Sequence, residues 1–202
     1  MIIIYVGGIG SGKTVSAVRD IMNSKSFPYT GFGLKHIKHH RLRFEDIITS
    51  ETNKQGKLFP VDVNWEFWKS ARKEHENFSI YLDEAHNIIS SRNSMSKRNK
   101  LFSNWISQIR KILYSSENNH IHIISQTARK LDVNFKELCH IFVECKSITI
   151  GKKVIVKQKF YDGEENFIYK NASAKRAFLA NPYFKYYDTH EIDEMGGGVE
   201  YV

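Results

Sequence analysis

Three observations predict an α/β fold built on a mostly parallel sheet. Residues 2–6 form a short, mostly β-branched apolar run, which is typical of a buried strand. Residues 14–23 then carry apolar side chains at helical spacing. Strand-like and helix-like segments alternate along the rest of the chain, and this alternation favours parallel strands joined by helices. The 202 residues suffice for one domain with its own core.

The remaining predicted elements keep this alternation. A helix is expected after the N-cap Asn64, and others at residues 44–48, 94–114, 134–138 and 172–179. Strands are expected at residues 78–82, 120–125 and 140–144, with a strand or an irregular edge at residues 29–34. Two further segments, 154–161 and 166–169, flank Asp162 and Gly163 and predict a β-hairpin.

The composition excludes several classes of protein. A hydrophobic fraction of 41% and a charged fraction of 26% exclude a disordered or fibrous chain. Two cysteines, Cys139 and Cys145, cannot form a disulfide framework, which favours a reducing compartment. No apolar run approaches the ~20 residues of a membrane helix, and the first residues lack the basic segment of a signal peptide. We expect an intracellular, soluble protein with no leader and no integral membrane segment.

The net charge of +8 is unevenly distributed. Five of the 22 acids lie in residues 188–202, which contain no Lys or Arg, so 30 cations face 17 acids in residues 1–187, a net charge of +13. Basic residues cluster at 35–43, 92–111 and 152–159. Each cluster alone fits either a solvated face or a surface for a polyanion. We expect one domain over residues 1–187 and a mobile acidic tail over residues 188–202.

Residues 7–14, Gly-Gly-Ile-Gly-Ser-Gly-Lys-Thr, fit the phosphate-binding pattern G-x-x-x-x-G-K-[ST] completely. The motif lies between a predicted strand and a predicted helix, the context in which backbone N–H groups and a helix N-terminus surround phosphates. Lys13 can reach the β- and γ-phosphates, and the Thr14 hydroxyl can hold Mg²⁺. The residues expected to contact ATP are Gly7, Gly8, Gly10, Ser11, Gly12, Lys13, Thr14 and Val15.

A second motif follows the strand predicted at residues 78–82, where Asp83 and Glu84 lie at its carboxyl end. Asp83 would hold Mg²⁺ through water, and Glu84 would orient and deprotonate the attacking water. The pair favours hydrolysis, because a kinase whose acceptor is a substrate hydroxyl needs no such glutamate. The alternative is that both acids only cap the next element.

A third candidate is Gln126, which follows the strand predicted at residues 120–125. A polar side chain at the tip of this strand could contact the γ-phosphate or the attacking water, so Gln126 is our candidate sensor. The alternative is an amide that bonds only to the loop backbone.

These three segments, in this order, resemble the FtsK–HerA branch of P-loop ATPases. Residues 7–14, 82–86 (Leu-Asp-Glu-Ala-His) and 125–127 (Ser-Gln-Thr) look most like viral genome-packaging ATPases and zonula-occludens-toxin-like (Zot-like) phage assembly ATPases. The resemblance spans about residues 1–145 by motif, and more loosely residues 182–189. It implies a RecA/ASCE-like P-loop NTPase fold, a three-layer sandwich with a mostly parallel sheet plus a C-terminal β-hairpin and helix.

The resemblance also implies roles for individual residues. Lys13 and Thr14 would bind phosphate and Mg²⁺, Asp83 would be the Walker B acid, Glu84 the catalytic base and Gln126 the sensor. Two features depart from related patterns. The Asp-Glu-Ala-His string at residues 83–86 matches a helicase motif, but 202 residues leave no room for a second RecA-like domain. Zot-like proteins of filamentous phages usually carry a membrane helix after the ATPase domain, and none is predicted here.

Members of this branch act as rings, so the resemblance implies a hexamer or pentamer with ATP at subunit boundaries. A neighbouring subunit would supply an arginine to the transition state. The candidates for that arginine are Arg92, Arg98, Arg110 and Arg129, and the alternative for each is a contact with DNA phosphate or a plain surface position. The candidates for contacts with the DNA backbone are Lys38, Arg41, Lys97, Lys100 and Lys111.

We therefore expect an Mg²⁺-dependent ATPase that moves double-stranded DNA, with a viral capsid or portal protein as partner. Its location would be the cytoplasm of an infected cell or the virion. One alternative is a Zot-like ATPase for virion assembly or export that acts on proteins or membrane partners. A second alternative is a nucleotide-gated binding switch with little turnover.

Overall fold

The computed structural model describes residues 1–56, 58–84, 96–113, 118–131 and 133–188. The strands are β1 (Ile2–Val6), β2 (Phe27–Thr30), β3 (His40–Arg41), β4 (Ile48–Thr52), β5 (Leu58–Val63), β6 (Phe78–Leu82), β7 (Ile121–Ser125), β8 (Ile141–Ile150), β9 (Lys153–Asp162) and β10 (Ala174–Leu179). The helices are α1 (Lys13–Asn23), α2 (Phe44–Ile47), α3 (Trp65–Glu74), α4 (Lys97–Leu113), α5 (Val133–Glu137) and α6 (Gly163–Ile168). Short 3₁₀ segments lie at Ala128–Lys130 and Asn181–Tyr186.

In the described part of the chain, the main sheet has eight strands in the order β10-β9-β8-β1-β7-β6-β2-β3. The six strands from β8 to β3 run parallel, and β9 and β10 extend the sheet in antiparallel fashion. Strands β4 and β5 form a separate two-stranded hairpin. Because the parallel strands point the same way, the loops that follow β1, β6 and β7 meet at one edge of the sheet.

Both faces of the sheet are packed against apolar side chains. On one face, Val15 and Val18 of α1 pack against Tyr5 of β1. On the other face, Trp68 of α3 and Trp105 of α4 belong to the larger core cluster. Helix α3 begins as expected at Asn64, whose Oδ1 accepts a hydrogen bond from the Phe67 backbone N–H at 3.2 Å. The sheet therefore forms the middle layer of a three-layer sandwich.

The mostly parallel sheet confirms the predicted fold class, but the C-terminal third differs in detail. The hairpin joins β8 to β9 near Gly151 and not at Asp162 and Gly163. Residues 163–168 form helix α6, so the strand predicted at residues 166–169 is wrong. Residues 174–179 form strand β10, so the helix predicted at 172–179 is wrong. Ala and Lys favour a helix in isolation, but hydrogen bonding to the edge of β9 outweighs that preference.

Within the described ranges, no helix is both long and apolar enough to cross a membrane. Of the predicted acidic tail, only Asp188 is described, and residues 189–202 lie outside the described residues. The boundary between a domain at 1–187 and a tail at 188–202 therefore stays a prediction.

Candidate nucleotide-binding site

The loop at residues 7–12 connects β1 to α1 at the carboxyl edge of the sheet. Gly12 precedes α1 with φ +88°, a conformation that favours glycine, and a Cβ there would overlap with the side chain of Val156. Gly7 is also required, because a Cβ at this position would overlap with the carbonyl oxygen of Cys145 and the Ser11 hydroxyl. No side chain caps the start of α1. The first N–H groups of the helix therefore point towards the loop as donors for an anion.

Lys13 folds over this loop. Its Nζ donates hydrogen bonds to the carbonyl oxygens of Gly7 at 3.0 Å and Gly8 at 3.1 Å, and the residue is only 7% exposed. The Ser11 Oγ is buried and has no hydrogen-bond partner among the described residues. Buried polar groups normally have partners. The N–H groups, the lysine and this hydroxyl together fit the phosphates of a nucleotide.

Thr14 and Asp83 are in direct contact across the sheet edge. The Thr14 Oγ1 donates a hydrogen bond to Asp83 Oδ2 at 2.8 Å, and the backbone N–H of Glu84 donates to Asp83 Oδ1 at 2.7 Å. Burial raises the pKa of Asp83 to about 6, although these two hydrogen bonds favour the charged form. A hydroxyl and a carboxylate at this distance are oxygen ligands of the kind that Mg²⁺ takes in phosphate sites, so the residues fit that ion.

Glu84 follows β6 in a left-handed conformation, with φ +44°. This region is uncommon for residues other than glycine, and such strain clusters at functional sites. The turn places Glu84 beside Asp83 on the wall of the same cavity.

The cavity at this edge has a volume of about 490 Å³, within the range of small-molecule pockets. Its walls come from the phosphate-binding loop, from the carboxyl ends of β2, β3 and β6, from β8 and β9, and from the C-terminal segment. The lining residues outside the two motifs include Phe32, Arg41, Ser147, Val154, Val156, Phe184, Tyr187 and Asp188.

The C-terminal wall is fixed by contacts with residues 34 and 35. Leu34 forms a β-bridge with Tyr187, and the Lys35 N–H donates to the Tyr186 carbonyl oxygen at 2.7 Å. The Lys35 ammonium lies 3.4 Å from Asp188. Burial, together with the nearby Asp83 carboxylate, raises the pKa of Tyr187 to about 12. Sequence reasoning did not assign these residues to the site, although the aromatic string at 183–187 was available as a clue.

The structure brings Lys13, Thr14, Asp83 and Glu84 together on one cavity, and it places Arg41 there as well. Arg41 lies on β3 beside Thr30 and lines this cavity, and its expected contact with DNA stays a prediction. Gln126 does not line the cavity as the described residues define it. Its carbonyl oxygen accepts a hydrogen bond from the Gly7 N–H at 3.4 Å, so the described contact with the loop is made by its backbone.

The arginine candidates occupy different places. The Arg98 guanidinium lies 4.9 Å from the ring centre of Phe44 in the same chain. Arg110 is exposed and lies near His140, which precedes β8 at the opposite edge of the sheet from the cavity. Arg129 is exposed and follows β7 on the cavity edge. Arg92 lies outside the described residues.

The lysines expected to contact DNA lie in different parts of the molecule. Lys97 and Lys100 lie in the first turn of α4, where the Lys97 ammonium is 5.7 Å from the ring centre of Phe59, and Lys111 lies in the last turn. Lys38 lies in the loop before β3. All four are exposed, but they do not share one surface strand or helix.

A phosphate-binding loop between a strand and a helix, beside a strand-end Asp and Glu in a mostly parallel sheet, defines a P-loop NTPase fold. A family model described as "Zonular occludens toxin (Zot)" matches residues 1–191, and the chain belongs to this family. This confirms the resemblance to Zot-like ATPases. No curated protein matches the chain.

Two solved structures illustrate the similarity. The N-terminal domain of zonular occludens toxin from Neisseria meningitidis has 19% identity and a TM-score of 0.58, and the match covers 93% of this chain and 98% of that one. The genome packaging NTPase B204 from Sulfolobus turreted icosahedral virus 2, in complex with ATP-γS, has 10% identity and a TM-score of 0.48. That match covers 87% of this chain and 95% of the B204 chain.

Proposed function

We propose that this protein binds ATP with Mg²⁺ and hydrolyses it. The observation that carries the proposal is the 2.8 Å contact between the Thr14 hydroxyl and the Asp83 carboxylate, one residue beyond Lys13 on a cavity that Glu84 also lines. This set contains a phosphate cradle, a pair of Mg²⁺ ligands and a base. A simple phosphate-binding loop would need only the first of these.

Each of the cavity residues has a separate role in the proposed hydrolysis. Lys13 exchanges its bonds to the Gly7 and Gly8 carbonyl oxygens for bonds to the β- and γ-phosphates. Thr14 and Asp83 would hold Mg²⁺, which would supply positive charge beside the transferred phosphate. Glu84 orients a water molecule in line with the γ-phosphate and accepts its proton. Arg41, which also lines the cavity, stabilises the negative charge that develops on the phosphate.

We further propose that hydrolysis drives work on double-stranded DNA in a homo-oligomeric ring, with a viral capsid or portal protein as partner. The net charge of +13 in residues 1–187 supports a polyanionic substrate. Arg129 is the arginine we assign to the neighbouring subunit's site, because it is exposed next to the cavity edge. Gln126 stays the proposed sensor, and the cytoplasm of an infected cell or the virion the proposed location.

The second candidate is an ATPase for virion assembly or export that acts on proteins or membrane partners. The family match over residues 1–191 favours this candidate, because the resemblance to Zot-like phage assembly ATPases implies such an activity. The two candidates share the nucleotide chemistry and differ in the molecule that is moved.

The experiment compares ATP turnover of the wild type and of Glu84→Gln, with and without DNA duplex. We expect Glu84→Gln to bind ATP normally but to lose about 10²–10⁴-fold in kcat, since the amide cannot accept a proton. Glu51→Gln, at an exposed position on β4, is the matched control and should keep full turnover. Robust ATP turnover by Glu84→Gln would contradict the role of Glu84 as the catalytic base.

The DNA titration then separates the candidates. Strong stimulation that weakens with salt supports the DNA motor. Turnover that is indifferent to DNA supports assembly or export. Binding without turnover, in a preparation whose measured mass shows a ring, supports a nucleotide-gated switch.

A further inference from the structure

One face of the antiparallel edge of the sheet carries five exposed lysines, and four of them lie opposite one another in two cross-strand pairs. These four residues form the lysine face: Lys146 of β8, Lys157 and Lys159 of β9, and Lys175 of β10. The fifth, Lys153, lies at the start of β9 opposite Ile150. Lys146 lies directly opposite Lys157, and Lys159 lies directly opposite Lys175. Opposite residues point to the same side of a sheet, as do residues two apart on one strand, so all four side chains share a face.

No described helix covers this part of the sheet. Tyr161, which lies on the same side of β9, belongs to the core cluster with α3 and α4. Helix α6 covers the end near Tyr161, where Phe167 stacks on Phe142 with ring centres 4.8 Å apart. Beyond that end all four lysines are exposed.

This arrangement is unfavourable for the protein alone. Like charges placed directly opposite each other destabilise a sheet, and lysine has a low preference for strands. None of the four makes an ion pair with a described residue. Glu144 is opposite Lys159, but its oxygens accept hydrogen bonds from Lys170 at 3.0 Å and from Tyr161 at 2.9 Å. A bound polyanion would relieve this repulsion.

We propose that the lysine face binds the phosphate backbone of double-stranded DNA, an inference that rests on the proposed function. The ammonium-bearing positions are ~5 Å apart across strands and ~7 Å apart along β9, which suits contacts with successive phosphates but not with bases. The exposed part of this face carries no aromatic side chain in β8, β9 or β10. Base stacking, on which single-strand binding depends, therefore has no platform here.

The lysine face also lies directly behind the nucleotide cavity. Ser147, next to Lys146, donates a hydrogen bond to the Gly10 carbonyl oxygen at 2.7 Å. Val156, next to Lys157, lies against Gly12. The two strands thus contact the phosphate-binding loop with one face and DNA with the other, which provides a path by which DNA stimulates turnover.

The test compares two variants that each remove four positive charges. The first changes Lys146, Lys157, Lys159 and Lys175 to Gln, and the control changes the exposed lysines Lys25, Lys54, Lys69 and Lys73 to Gln. Binding of a fluorescently labelled DNA duplex is followed by anisotropy over a range of salt concentrations. We expect the affinity of the first variant to fall at least about tenfold, and the slope of log K against log salt to decrease by about 0.9 for each phosphate that the variant no longer neutralises. The control should stay close to the wild type.

Unchanged DNA binding by the first variant would overturn the proposal, as would an equal decrease in the control. Binding of the wild type to phosphatidylserine vesicles but not to DNA would also overturn it. If the first variant does not fold, the double variant Lys146→Gln/Lys175→Gln removes one lysine from each pair and should show about half the change in slope. Basal ATP turnover without DNA separates the proposed ATPase function from the lysine-face proposal. If the wild type shows no basal turnover, the proposed function is contradicted. If basal turnover is normal and the first variant binds DNA as the wild type does, only the lysine-face proposal is contradicted.

Discussion

The parallel centre of the sheet and its antiparallel edge differ in how their strands are buried. Every residue of β6 and β7 is buried, whereas β9 and β10 alternate between covered and exposed positions. A strand covered on both faces has a continuous apolar sequence that ends abruptly where the polar loop begins. The loops after β1 and β6 carry the phosphate-binding motif and the Asp-Glu motif, and β8 and β9 contact the first of these loops through Ser147 and Val156. The candidate nucleotide-binding residues therefore follow the strands whose sequence pattern is clearest. The strands β9 and β10, whose pattern is ambiguous, contribute packing at the edge.

The largest effect should come from the centre. Lys13→Ala should weaken ATP binding at least about 10³-fold, because the variant cannot form several charge-assisted hydrogen bonds of about 1.5–3 kcal/mol each. Lys146→Ala, at an exposed lysine of the edge, is the matched control and should bind ATP as the wild type does. Titration calorimetry measures both. Affinity close to the wild type in Lys13→Ala would contradict the assignment of the phosphate site.

The dependence of the centre on the edge can be measured at three glycines. Gly8→Ala should be nearly neutral, since its Cβ would meet open space without a positive φ. Gly10→Ala, with φ +70° and open space, should cost about 1–2 kcal/mol of unfolding free energy. Gly12→Ala has φ +88° and also overlaps with Val156, so it should cost about 2–4 kcal/mol.

Chemical denaturation measures this series. The substitution Gly12→Ala should cost less unfolding free energy in the Val156→Ala background than in the wild type, because the overlap with the Val156 side chain is then removed. If Gly12→Ala costs the same unfolding free energy in both backgrounds, β9 does not constrain the phosphate-binding loop, and the two regions are independent.

Arg41 tests whether the outer strands of the parallel sheet take part in chemistry. Arg41→Ala should lower kcat about 10²-fold with DNA affinity unchanged, because the residue lines the nucleotide cavity. Arg43→Ala, at an exposed position two residues along, is the control. Steady-state ATPase rates and duplex anisotropy give the two readouts. A decrease in DNA affinity with normal kcat would instead support the DNA contact expected from the sequence.

The smallest effect is expected at the edge, from Glu144. Burial opposes its ionisation, but hydrogen bonds from Lys170 and Tyr161 outweigh burial and lower the pKa of this carboxyl. Its contribution to stability is therefore present above the pKa of an unfolded Glu and is lost as pH falls through the lower folded value. Because the side chain is partly exposed, Glu144→Gln should cost less than about 1 kcal/mol at pH 7.

Denaturant titrations at several pH values measure that cost. The difference between Glu144→Gln and the wild type should vanish in acid below the folded pKa of Glu144, and Glu51→Gln is the exposed control. A difference that persists unchanged in strong acid would show that Glu144 acts through packing and not through its charge.

The accuracy of the sequence-based predictions follows the same division. Residues 2–6 and 78–82 were assigned as strands with the bounds that the structure has, because their apolar runs have no helical alternative of that length. Residues 174–179, Ala-Lys-Arg-Ala-Phe-Leu, were assigned to a helix, although they form β10. An edge strand with one solvated face contains residues of both preferences, and only the presence of β9 beside it decides between them.

The site shows a similar contrast. Lys13, Thr14, Asp83 and Glu84 could be named from the sequence because phosphate and metal chemistry requires those residue types in a fixed local order. Arg41, Val156, Phe184 and Tyr187 could not be assigned to the cavity, because they reach it from β3, β9 and the C-terminal segment, which lie far from the two motifs in the chain.

The sequence by itself determined the fold class, the family resemblance and the residues proposed to bind the phosphates, since these depend on local patterns of apolar residues and on one contiguous loop. Only the tertiary structure decided which strands form the edge, what closes the cavity and which lysines share a surface. Those properties depend on which side of a sheet each side chain occupies and on which distant strand lies beside it. Pairing between strands fixes both, and a linear sequence records neither.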